Sequence, residues 1–168
     1  MLSGLFKYLK FLITSRNQHG VHSPFVYNFI TRSIYTKTRY KGNKVLDVLL
    51  KSVDYFKAKV ILLPKEDIAL KDLIQKNSSK VAFQGKPYDI IYLEHPNEVS
   101  CHEYSPSENR IHNDSMLLIN SIHKNKKMET HWENIKKWEH VTVTLDFFYC
   151  GAVFFRKEQA EEHFKIRI

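Results

Sequence analysis

The chain has 168 residues, 43% hydrophobic and 13% aromatic, with only five glycines and five prolines. Such a chain is long enough for one packed domain, and its composition excludes a disordered, collagenous or low-complexity protein. A formal net charge of +8 favours an anionic partner (nucleic acid, a lipid surface or a phosphorylated small molecule) by sign alone.

The first fifteen residues, MLSGLFKYLKFLITS, are apolar and basic together. Lys7 and Lys10 interrupt the run well short of an export signal or a membrane span. On a helix, Leu2, Leu5, Phe6, Leu9, Leu12 and Ile13 fall on one face. A helix packed on the core or on a second copy is therefore expected ahead of one lying on a membrane. A polar turn, Arg16 to His22, follows. Ser23-Pro24 then opens a second helix with the residues preferred at an N-cap and first helical position, and Phe25, Val26, Phe29 and Ile30 form its buried face to about Tyr35. Beyond the basic turn Thr36 to Asn43, a third helix is expected over Lys44 to Phe56, with Val45, Leu46, Leu49, Leu50 and Val53 on one side.

From residue 58 onward, strands alternate with helices, the pattern of an α/β sheet. Short strands are expected at Lys59 to Leu63, Lys80 to Phe83, Tyr88 to Leu93 and Ser115 to Ile122. Helices are expected at Glu66 to Gln75, with Ile68, Leu70, Leu73 and Ile74 inward, and at Met128 to Trp138, with Trp132, Ile135 and Trp138 on one side. Asn97 to Asn113 reads as irregular, with at most a short helix. The run from His140 to Lys157 is the most apolar and β-branched of the chain. Its alternation of Val141, Val143 and Leu145 with Thr142, Thr144 and Asp146 predicts an antiparallel hairpin with its corner at Cys150-Gly151. His163 to Ile168 reads as a last edge strand. No internal repeat or linker is visible, so the chain is one domain: N-terminal helices over 1–57 and a sheet core over 58–168.

Cys101 and Cys150 lie far apart without metal-type spacing and read as free thiols of a reducing, cytoplasmic compartment. His19 and His22 are spaced to touch one metal, but no third ligand is indicated, so no metal site is expected. Glu94 and His95 follow a parallel strand, where open α/β sheets bind ligands, and Asn120 and His123 end the next one. All four are candidates for one crevice, beside the basic run Lys124-Asn125-Lys126-Lys127. The aromatics Phe147, Phe148, Phe154 and Phe155 read as core, and their density on an edge hairpin also suits a partner surface.

Three segments carry a family likeness: HGVHSPFVYNFI, YDIIYLEH, and the block from Ile111-His112-Asn113 through VTVTLDFFYCGAVFFRKEQAEEHFKIRI. Together they resemble a family of class I S-adenosylmethionine-dependent methyltransferases of the Bacteroidetes. The resemblance implies a Rossmann-like methyltransferase fold, mostly parallel, with helices on both faces and one antiparallel strand from the C-terminal hairpin. It also implies a glycine-rich cofactor turn after the first strand, where this chain has Leu63, Pro64, Lys65, Glu66 and Asp67. Proline fixes its own backbone angle and donates no hydrogen bond, so the cradle is degenerate. The acidic residue expected after the second strand is replaced by Gln84-Gly85. Between Gly85 and Tyr88 there is room only for a turn, so one sheet edge is deleted. Paired aspartates of the family are replaced by Asn120 and Ser121.

The expectation is therefore a methyltransferase-fold protein without cofactor binding or catalysis, acting through protein contacts or anion binding. The contacts would be made by the aromatic hairpin or the N-terminal helix, to a protein partner or a second copy; a membrane role is not expected. The alternatives are an active S-adenosylmethionine-dependent enzyme with an atypical loop, and a basic nucleic-acid-binding module, which rests on charge alone. The exposed strand edge left by the deletion would be covered near Lys76 to Lys80.

Overall fold

A computed structural model describes residues 2–64, 67–98, 100, 103–104 and 108–168. The N-terminal helices are α1 (Leu2–Thr14), α2 (Pro24–Phe29), continued by a wider π-turn over Ile30–Ile34, and α3 (Lys44–Tyr55). Then follow β1 (Ile61–Leu62), α4 (Ile68–Asn77), β2 (Tyr88–Leu93), β3 (Ile111–Asn120), α5 (Lys126–Ile135), β4 (Val143–Asp146), β5 (Cys150–Phe154) and β6 (Glu162–Lys165). The helices begin where side chains satisfy their first amides. Ser23 accepts from Val26, Asn43 from Val45 and Leu46, Asp67 from Leu70, and Asn125 from Met128.

The strands form one mixed sheet in the order β1-β2-β3-β5-β4-β6. Every strand runs parallel to the others except β5, which is antiparallel to both β3 and β4. The architecture is thus α/β and mostly parallel, and two-residue alternation sorts its side chains onto two faces. Ile90, Met116, Leu118, Leu145, Ala152 and Phe154 pack under α2, α3 and α4. Ile91, Leu117, Ile119, Val153 and Phe155 pack under α5 around Trp132 and Ile135.

Several sequence expectations are corrected. The hairpin's corner is Phe147 to Tyr149, and Cys150 and Gly151 lie within β5. Phe148 supplies the left-handed backbone, with φ of 69°. Its amide donates to Asp146 Oδ1 at 2.8 Å, which holds the turn without glycine. The hairpin is also not at the edge, because β6 pairs along β4. Lys80 to Phe83 forms no strand but a single bridge, Val60 to Ala82, with Ile61 N donating to Ala82 O at 2.9 Å. That segment, and not Lys76 to Lys80, covers the outer side of β1. Lys59 to Leu63 shrinks to Ile61–Leu62, and the strand expected at Ser115 begins already at Ile111. In α4, Ile68 is exposed while Leu70 and Ile74 are buried.

For α1 the expectation that its apolar face packs on the core is also corrected. Leu5, Phe6, Leu9 and Ile13 face solvent, while Phe11 is buried.

Candidate functional site

The alternation of β2 and β3 splits the four sequence candidates between two places. Tyr92 and Asn120 point to the α3/α4 face, and Glu94 joins them at the carboxyl end of β2. They line a crevice of about 570 Å³ with Tyr40, Asn43, Asp67, Asp72 and Lys76. This is where an open α/β sheet offers a ligand site. His95 is not among the residues that line this crevice, and its Nδ1 is buried with no hydrogen-bond partner among the described residues. His123 lies three residues beyond Asn120, past Ser121 with its φ of 61°. The imidazole lands under α1, away from the crevice.

Tyr92 is buried, and it lines the crevice beside Asn120. Burial, followed by the Glu94 carboxylate, pushes its phenol up to about 12, so it is a neutral group in the crevice wall. Asp67 is committed to the α4 terminus, its Oδ1 accepting from Leu70 N at 2.9 Å. Leu63 and Pro64 are half-buried beside it, and Lys65 and Glu66 lie outside the described residues.

Beneath α1 a second polar group forms that sequence reasoning missed, apart from His123. His123 Nε2 meets Asp146 Oδ2 at 2.8 Å, and its Nδ1 lies 3.7 Å from Glu129 Oε1. Glu129 in turn accepts from Lys7 Nζ of α1 at 2.7 Å. Phe148 stacks on the imidazole with centroids 5.2 Å apart and planes at 20°. Burial raises the Glu129 carboxyl, but the hydrogen bond and charge of Lys7, together with His123, outweigh it and hold it below the usual carboxylate range. Both imidazole nitrogens thus face carboxylates, so this histidine ties α5, β4 and α1 together and has no nitrogen facing a substrate. The available signal was Asp146, a carboxylate ending an apolar strand.

His19 and His22 are both exposed on the turn before α2. Among the described residues no group of three or more His, Cys, Asp or Glu side chains is placed to hold a metal ion. Cys150 is buried in β5, and Cys101 lies outside the described residues. Among the described residues no helix is long and apolar enough to cross a membrane. The chain matches no family model, no curated protein and no solved structure.

Proposed function

We propose that this chain is a methyltransferase-like α/β protein that has lost cofactor binding and catalysis, and that it acts through its outer surfaces, by protein contacts or by binding anions. The Asp67 cap carries the reading. Where the resemblance places a glycine-rich turn, the chain passes through half-buried Leu63 and Pro64 to a carboxylate that closes the α4 N-terminus. An amino-acid-bearing cofactor would bring its own carboxylate to that helix end, where Asp67 repels it and already holds the Leu70 amide. The residues present do not fit S-adenosylmethionine. The sheet order, with one antiparallel strand inside an otherwise parallel sheet, supports descent from the methyltransferase arrangement.

Thermal unfolding with and without millimolar S-adenosylmethionine or S-adenosylhomocysteine tests this. A ligand at a hundred times its Kd stabilises the native state by about 2.7 kcal/mol, a shift of a few degrees for a domain of this size. No shift is expected. A saturable shift would restore the active-enzyme alternative, with Glu94 and Asn120 as the first residues to change.

A further inference from the structure

Helix α1 is docked by one side only. Phe11 and Tyr8 lie against the hairpin turn, with ring centroids 5.3 and 4.9 Å from Phe148, and Lys7 reaches Glu129. On the opposite side Leu5, Phe6, Leu9 and Ile13 are 60, 74, 48 and 85% exposed. Isolated exposed apolar residues are ordinary, but four on one stripe of one helix are not.

The net charge beside this stripe is positive. The thirteen residues of α1 include lysines and no acidic residue. Between α1 and α5 runs a groove of about 570 Å³ whose lining includes Lys10, Lys126, Lys137 and Lys165. All four are exposed, and none is paired with a carboxylate among the described residues. The two glutamates of the groove are already engaged, Glu129 by Lys7 and Glu133 by Lys136.

Three kinds of partner meet this surface differently. A second copy would bring the same unpaired lysines face to face, and their repulsion opposes the apolar contact. Nucleic acid would use the lysines and leave the four apolar side chains in water. An anionic lipid surface uses both. Phe6 and Ile13 stand clear of the protein with no walls to shape a pocket for a partner's side chain, and a fluid acyl layer needs none. At thirteen residues α1 is too short to span a bilayer, but an interfacial helix of this kind has an apolar face with lysines beside it.

We propose that α1 is an interfacial anchor that lies on anionic phospholipid. Leu5, Phe6, Leu9 and Ile13 enter the headgroup–acyl boundary, and the four groove lysines meet lipid phosphates. Each such lysine strengthens binding to a charged leaflet about fivefold. The inference goes beyond the loss of cofactor binding and stands whether or not the β2–β3 crevice takes a ligand.

Flotation of the whole chain with vesicles tests it, using phosphatidylcholine alone and phosphatidylcholine with about a third phosphatidylserine. Binding is expected with the anionic vesicles only, and should fall by an order of magnitude or more at raised salt. The double variant Phe6→Asp/Ile13→Asp should lose binding with its melting temperature unchanged, since both side chains are exposed. The variant Lys10→Gln/Lys126→Gln/Lys137→Gln/Lys165→Gln should weaken it at least tenfold. Failure of the parent chain to float with anionic vesicles overturns the proposal, as does flotation that survives the double aspartate change. Light scattering that shows a dimer abolished by Phe6→Asp/Ile13→Asp, with no vesicle binding, would assign the stripe to self-association instead. None of these outcomes alters the cofactor titration, so the two readings fail separately.

Discussion

The indole of Trp132 lies against the backbone of Gly151, so close that a Cβ built there would stand 2.5 Å from both Cη2 and Cζ3 of the ring. Trp132 is the largest side chain buried on the α5 face, and Gly151 is the point of β5 over which it passes. The glycine is required by this close approach, since its φ lies outside the left-handed region.

Gly151→Ala should therefore cost about 2 kcal/mol, the range for overpacking a filled core. Trp132→Phe removes the part of the ring that meets position 151, so the double variant should be less destabilised than the sum of the singles by about 1 kcal/mol. Urea unfolding of the four proteins measures this, and strictly additive costs would rule out the contact as the reason for glycine.

Lys51 is a buried cation whose three donors are all used. Its Nζ lies 2.8 Å from Asp47 Oδ2 and bonds to the carbonyls of Ile34 at 2.8 Å and Thr36 at 3.0 Å. Asp47 Oδ1 accepts the amides of Arg39 and Tyr40, so the pair pins the segment that brings Tyr40 to the crevice. Lys51→Met keeps the stem's packing but leaves two carbonyls and a largely buried carboxylate without their cation. It should cost about 3 kcal/mol in urea unfolding. A loss under about 1 kcal/mol would mean that solvent reaches Asp47 and replaces the ammonium.

Legibility followed the period of the pattern. The sheet was readable at Tyr88 to Leu93 and Val141 to Leu145, where burial on one or both faces leaves a run or an alternation. The helix cap at Ser23 was equally local, whereas Asn125, inside a basic run that reads as loop, caps α5 unannounced. What α1 covers was not readable, because a 3.6-residue apolar stripe reports amphipathicity and not which side finds protein. Gly151 suggested a bend for the same reason: a glycine signals either left-handed backbone or close approach, and only the position of Trp132 decides. Of the four residues expected in one crevice from strand ends alone, Glu94 and Asn120 line it, because strand ends are a sequence property and the alternation that parts the other two was not applied. His123 does not join them, because three residues beyond Asn120 alternation already sets it on the opposite face, and it ends beneath α1 against Asp146 and Glu129.

Acid should act on the α1 attachment through Glu129. Lys7 and His123 hold its folded-state pKa below the ordinary value of 4.5, so the unfolded chain takes up the proton first as pH falls. The stabilisation is complete above that ordinary value and is lost as pH drops through the lower, folded one. Glu129→Gln has no such proton to bind. It should be less stable than the parent near neutral pH, by about 1 kcal/mol for a partly exposed pair, and should lose less stability between pH 5 and pH 3. Parallel pH–stability profiles of equal slope would show that the Lys7–Glu129 contact contributes nothing.

Cys150 provides a native probe of the seam beside the crevice. It opens β5 directly opposite Asn120 of β3, and Ser121 N donates to Tyr149 O just beyond, so the thiol marks the last rung between these strands. Burial and then the Asp146 carboxylate push the thiol far above its ordinary range, so the reactive thiolate is suppressed while the chain is folded. In a Cys101→Ser variant, iodoacetamide at mildly alkaline pH should label Cys150 only through opening. The logarithm of the labelling rate should rise linearly with sub-denaturing urea, with a slope matching that of global unfolding. A rate independent of urea would instead reveal local fraying of the β3–β5 rung. Asn120 would then leave its rung while the rest of the sheet held, and the stretch of crevice wall it forms beside Tyr92 would move without unfolding.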